Sequence, residues 1–294
     1  MSRSNFRKST NIEYTYRNSK LPTEIIYYSI EVTSKYLHVG RGEDIEIKND
    51  VNLSNDTVSR FVNGENSVFN EIDKTISIKQ AFSRAGGKYV IPGGTIKGAV
   101  RTRLEMSLND ACYIVADTSS GYSKNYIKIF NPDKKKGSEN FSKGKICPVC
   151  NLFGNMGLAS RVSFSDAILT SDPKSYVVFE KIDNEESGTE KKGEESGTEK
   201  KGEEYELVKK GAVFEGFIVI RANGIDKGAV YYGMGIRCEN DKVEYRDILL
   251  GRFKYSNPDF GRVRFKIKNN NDVCKNIKDF VSEYRPKDIR EDWK

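Results

Sequence analysis

From Glu24 to Thr33 the chain reads EIIYYSIEVT, in which Ile26, Tyr28, Ile30 and Val32 alternate with Tyr27, Ser29, Glu31 and Thr33. A period of two places successive side chains on opposite faces of a pleated strand, so the stretch predicts a strand buried on one side only. Gly261 to Lys268, GRVRFKIK, sharpens the pattern: Val263, Phe265 and Ile267 face one way, and Arg262, Arg264, Lys266 and Lys268 the other. Half-buried strands are typical of antiparallel sheets, whereas the strands of doubly wound parallel sheets read as continuous apolar runs. Further strands are expected at KYVI before Pro92, from Val162 to Phe164, and across AVFEGFIVI from Ala212 to Ile220. Helical spacing appears at Ile96, Ala99, Val100, Leu104 and Leu108, and again at Val273, Ile277, Phe280, Val281 and Tyr284. Strands and helices mix without a regular strand-helix repeat, which predicts an α+β fold with an antiparallel sheet.

The 294 residues exceed one ordinary domain, so the chain holds either one domain with large insertions or two domains. Residues 1–22 are polar and basic (Arg3, Arg7, Lys8, Arg17, Lys20) and read as an arm. Three polar stretches read as insertions: a loop over 44–75 with a short helix near Val58 to Val62, a segment over 110–160 carrying CPVC, and a loop over 168–210. Within the last, Glu185 to Gly202 is EESGTEKKG repeated in tandem, too polar to build a core. Lys and Arg number 49 against 42 Asp and Glu, a formal net charge of +7, which favours a polyanionic partner. The 16 Tyr and 15 Phe residues serve either a core or the stacking of single-stranded bases. Five scattered cysteines do not read as a secreted disulfide framework, the first residues lack an apolar signal core, and no apolar run reaches membrane-spanning length. A soluble, cytoplasmic chain without membrane partners is the expectation.

YVIPGGTIKGAVRTRLE, Tyr89 to Glu105, runs from strand through Pro92, Gly93 and Gly94 into a helix for which Thr95 is the expected N-cap. Lys97 precedes Gly98 rather than following the last glycine, so the nucleotide-binding P-loop pattern is not met. Backbone N–H groups at a helix start, joined by Lys97 and Arg101, would instead suit a phosphate of a nucleic-acid backbone; the alternative is glycines that merely permit a tight turn. Cys147 and Cys150 have the spacing of a zinc knuckle, with Cys112 as a candidate further ligand, or else form a reduced structural pair. His38, the sole histidine, is either a general acid-base group or a satisfied structural residue. Asp44, Asp50, Asp56 and Asp73 are candidate acids for metal-assisted chemistry, or solvated loop residues.

YLHVGRGED, YVIPGGTIKGAVR, CPVCNLFGN, ASRVSFSDA, VKKGAVFEGFIVI and LLGRFKYSNPDFGRVRF, in this order, resemble the signatures of the RAMP superfamily proteins of CRISPR systems, specifically the backbone subunits of type III (Csm/Cmr-like) effector complexes. The resemblance implies a single modified ferredoxin-like (RRM-like) domain over residues 23–294, stacked with other effector subunits and copies of itself along a guide RNA. It implies RNA contacts at His38, Gly40, Arg41, Gly93, Gly94, Thr95, Lys97, Arg101, Arg161, Arg252 and Arg262, made to phosphates, with sequence read by pairing of guide and target RNA. It implies a β-hairpin thumb between the strands near 162–167 and 212–220, where Lys181, Ile182, Asp183 and Asn184 lack the arginine usual in relatives. Many relatives cut target RNA with an aspartate and a divalent metal such as magnesium; Asp73 lies nearest the expected place, with Asp44 and Asp50 as rivals. A second implied activity is metal-independent, guide-processing endoribonuclease chemistry with His38 as acid or base.

Overall fold

The computed structural model describes residues 21–47, 54–65, 68, 76–109, 111, 146–155, 157–182, 203–268 and 272–289. In chain order the strands are β1 (Thr23–Val32), β2 (Tyr36–Leu37), β3 (Gly40–Ile47), β4 (Ile76–Phe82), β5 (Arg84–Ala85), β6 (Lys88–Ile91), β7 (Val162–Phe164), β8 (Ala167–Leu169), β9 (Val177–Ile182), β10 (Glu203–Lys209), β11 (Val213–Arg221), β12 (Ile236–Glu239), β13 (Lys242–Tyr245), β14 (Asp247–Leu249) and β15 (Arg262–Lys268). The helices are α1 (Asn55–Val62), α2 (Gly93–Ser107), α3 (Pro148–Phe153), α4 (Pro173–Tyr176), α5 (Gly224–Gly233) and α6 (Val273–Tyr284).

The central sheet has the order β14-β15-β1-β11-β8-β6-β5, with β7 also on β11, and its pairs are antiparallel. Tyr28, Ile30, Phe265 and Ile218 are fully buried on one face and share a core with Ile96, Val100 and Leu104 of α2, Val230 of α5 and Phe280 of α6. The alternation in β1 and β15 therefore marks the helix-covered side. Helix α2 crosses between β1 and β7–β8, which β11 separates in the sheet, and α5 crosses between β11 and β15, which β1 separates. Tyr28 faces Gly216 across the β1–β11 ladder. A Cβ at Gly216 would lie 2.7 Å from the Tyr28 hydroxyl oxygen, so glycine makes room for the ring.

A second sheet has the order β2-β10-β4-β3, with β9 antiparallel to β10 and β4 parallel to it. β9 and β10 thus form the two arms flanking the tandem duplication, which itself lies outside the described residues. The loop expected from Asp44 begins later, because β3 continues to Ile47 against β4. Its acids find complements there: Asp44 stands opposite Lys79, and Glu43 accepts from Gln80 Nε2 at 3.2 Å. Helix α1 starts at Asn55 rather than near Val58, since the Ser54 hydroxyl accepts from the Thr57 N–H at 3.1 Å. A disulfide joins Cys238 of β12 to Cys274 of α6, a pairing across 36 residues that the sequence reading did not anticipate. Among the described residues no helix is long and apolar enough to cross a membrane.

Candidate nucleic-acid interface

The sequence-predicted residues gather at two places. The first is the start of α2. Pro92, not Thr95, is the N-cap, and Gly93 and Gly94 are already helical. No local side chain caps the helix; the Gly93 N–H donates to Asp166 Oδ1 at 2.8 Å, and Pro92 O accepts from the N–H groups of Thr95 and Ile96. The anion favoured at this helix end is thus in part the protein's own carboxylate, delivered by the turn between β7 and β8. That turn sits so close that a Cβ on Gly93 would fall 2.1 Å from Phe164 O, which is why glycine is required.

Around this helix start the three predicted cations differ. The Lys97 ammonium is half-buried and donates to Ser160 Oγ at 2.9 Å; burial, then Arg101 nearby, holds its pKa below the usual lysine range. Arg101 donates to Glu105 Oε1 at 2.7 Å, to Gly154 O at 2.8 Å and to Cys150 Sγ at 3.6 Å. Arg161 is buried and grips both oxygens of Asp226 at 2.7 and 3.1 Å, with further bonds to Asn151 O and Arg221 O. Its guanidinium is committed to pinning the end of β11 and the start of α5. Cys147 caps α3, its sulfur accepting from the Cys150 N–H at 3.3 Å, and both thiols are buried. Among the described residues no third His, Cys, Asp or Glu completes a metal-holding group with them, and Cys112 lies outside those residues.

The second place is a seam between residues 36–42 and 251–261. The N–H of Arg252 donates to His38 O at 2.8 Å and that of Gly261 to Tyr36 O at 3.0 Å; on the other side Ser83 N–H reaches Val39 O at 2.7 Å and Ser83 Oγ reaches Gly40 O at 3.1 Å. His38 is fully buried, with Nδ1 2.9 Å from Glu206 O and its ring edge-on to Phe82 and Tyr205. Burial holds its pKa below the usual value, which favours the neutral ring. Arg41 and Arg252, by contrast, are exposed. Arg41 forks onto both oxygens of Asp44 at 2.5 and 2.6 Å, and Arg252 lies 5.2 Å over the rings of Tyr205 and Phe253. The backbone N–H of Arg262 donates to Ser34 Oγ at 3.0 Å, joining the ends of β1 and β15. Asp50 and Asp73 lie outside the described residues.

Sequence reading missed Glu206, a buried carboxylate on β10 that accepts from Phe82 N–H at 2.9 Å, from the Tyr89 hydroxyl at 2.6 Å and from Arg84. Those partners are 117 to 124 residues away in the chain, so no local pattern marks it. It locks the strand pair leading into α2 to the second sheet. The same holds for Asp166, 73 residues from the N–H it caps.

Comparison with known proteins gives one family: the profile described as RAMPs, RAMP superfamily, matches residues 29–291. No curated protein matches. Among solved structures the chain is similar to one chain of "Cryo-EM structure of the Type III-B Cmr-beta bound to cognate target RNA", with a TM-score of 0.43 and 16% identity, covering 84% of this chain and 60% of that one. The chain therefore spans less than two thirds of that solved chain's length.

Proposed function

The chain belongs to the RAMP superfamily, and from that premise we propose that it is an RNA-binding backbone subunit of a cytoplasmic type III CRISPR effector complex. In this reading it holds guide RNA by its phosphates and organises the guide-target duplex beside other effector subunits and copies of itself. Residues 23–294 form one ferredoxin-like domain with insertions; the order β15-β1-β11-β8, bridged by the two crossing helices, supports that fold. The antiparallel pair β9–β10 supports a thumb carrying the duplication at its tip.

The observation that carries the reading is the seam. Two segments more than 200 residues apart are stitched by backbone hydrogen bonds around His38, leaving Arg41 and Arg252 exposed beside them. Guanidinium groups so held suit phosphate contact that is indifferent to base sequence. Affinity for single-stranded RNA should accordingly fall steeply with salt. Arg41→Ala, Arg252→Ala and Lys97→Ala should each weaken binding about equally on unrelated sequences and lower the salt slope by about 0.7 per lost phosphate contact. Wild-type affinity in all three variants would sink the reading.

Target cleavage is the further part of this proposal, with Asp73 as the catalytic acid and magnesium as the divalent ion. Among the described residues no group of three or more His, Cys, Asp or Glu side chains is gathered to hold the ion, and Asp44 is engaged by Arg41. Magnesium-dependent cutting at regular intervals by the assembled complex, lost in Asp73→Ala, is the expected result. Cleavage of guide precursor in EDTA, abolished by His38→Ala, would favour the processing enzyme instead; the full burial of His38 counts against it.

A further inference from the structure

On the face of the central sheet turned away from α2 and α5, the outward residues of β1 and β11 meet in register. Tyr27 stands directly opposite Phe217 on one side and Lys268 on the other. The two rings are 55% and 40% exposed, with centroids 6.2 Å apart and planes tilted by 57°. Ile25 on β1 and Ile168 on β8 extend the apolar strip. Beside the rings lies a shallow cavity of about 170 Å³ bordered by Glu215 and Lys268, whose Nζ donates to Glu215 Oε1 at 2.5 Å.

A single exposed aromatic ring on a strand is ordinary; a cross-strand pair beside a row of cations is not explained by the core. Outward basic residues Arg221, Arg262, Arg264, Lys266 and Lys268 outnumber the outward acids Glu31 and Glu215 on these three strands, and Arg264 pairs with Asp247 of the neighbouring β14 at 2.8 Å. Lys266 and Lys268 pair with those acids at 2.8 and 2.5 Å, but about half of each lysine is in solvent, so the pairs are weak and exchangeable for phosphate. A second copy of the same face would bring like charges together. A strand offering flat π-faces at base spacing and phosphates at its edge would not.

We propose that Tyr27 and Phe217 form a base-stacking platform for single-stranded RNA, with Lys266 and Lys268 beside it for the phosphates. The proposal rests on the RNA reading above but uses a different surface from the seam and the α2 start. It is tested on the full chain with two probes, a fluorescein-labelled unstructured RNA followed by anisotropy and the same RNA carrying a fluorescent adenine analogue whose emission is quenched by stacking. Tyr27→Ala and Phe217→Ala should each weaken binding about tenfold and lose the quenching, with the salt slope unchanged, while Tyr27→Phe retains both. Lys97→Ala should weaken binding and keep the quenching. Wild-type affinity and quenching in both alanine variants, with Lys97→Ala still impaired, would overturn the platform and leave the RNA reading standing. No RNA affinity in the wild type at low salt would overturn both. Loss of a concentration-dependent dimer in Tyr27→Ala, without change in RNA affinity, would assign the face to self-association and overturn the platform.

Discussion

Tyr27 and Tyr28 are neighbours on one strand, yet Tyr28 has no exposed surface and Tyr27 keeps 55% of its surface in solvent. Across the ladder, Tyr28 meets Gly216, which gives its ring space, whereas Tyr27 meets Phe217, which gives it a partner. Tyr28 also touches Phe164 and Phe265, and its hydroxyl donates weakly to Ser165 O at 3.4 Å. One face of β1 thus uses aromatic area to hold the fold together, and the other leaves about half of a ring for something outside the chain. The difference separates residues that build the sheet from residues that use it.

The contrast should be largest in stability. Tyr28→Ala removes a fully buried ring and should cost about 3–5 kcal/mol in denaturant unfolding, while Tyr27→Ala should stay within about 0.5 kcal/mol; equal losses would erase the distinction between the faces. Gly216→Ala should come next, at about 1–3 kcal/mol, because the new methyl group must displace the Tyr28 phenol. Recovery of that loss in the double variant Gly216→Ala with Tyr28→Leu would confirm the cause.

The smallest effect is in alkaline pH. Burial, partly opposed by the Ser165 side-chain hydroxyl, pushes the Tyr28 hydroxyl well above its ordinary value of 10.0. The unfolded chain then releases its proton first, so the contribution is intact below pH 10 and is lost as pH rises beyond it, by about 1.4 kcal/mol per pH unit. Tyr28→Phe should flatten that decline; an unchanged slope would mean that the hydroxyl is not buried in solution.

Much of this arrangement is legible in the chain. The alternation in Glu24 to Thr33 and Gly261 to Lys268 marks both strands and the side of each that is buried, and the spacing from Ile96 to Leu108 marks α2. The helix start is less legible. Thr95 has the right chemistry for a cap, but Asp166 arrives from a distant turn and moves the boundary back to Gly93. The candidate cations divide in the same way: Arg161, Arg101 and Arg252 read alike on the page, and only their partners distinguish them.

By itself the sequence determined the period of each strand and helix, and with it which residues share a face, because backbone geometry repeats every two or 3.6 residues regardless of what lies beyond. The tertiary structure alone decided which elements each face meets and which charges remain available. Arg161 is spent on Asp226, 65 residues away, while Arg252 stays at the surface over two rings. A buried charge must find its counter-charge through space, and that search leaves no periodic trace along the chain.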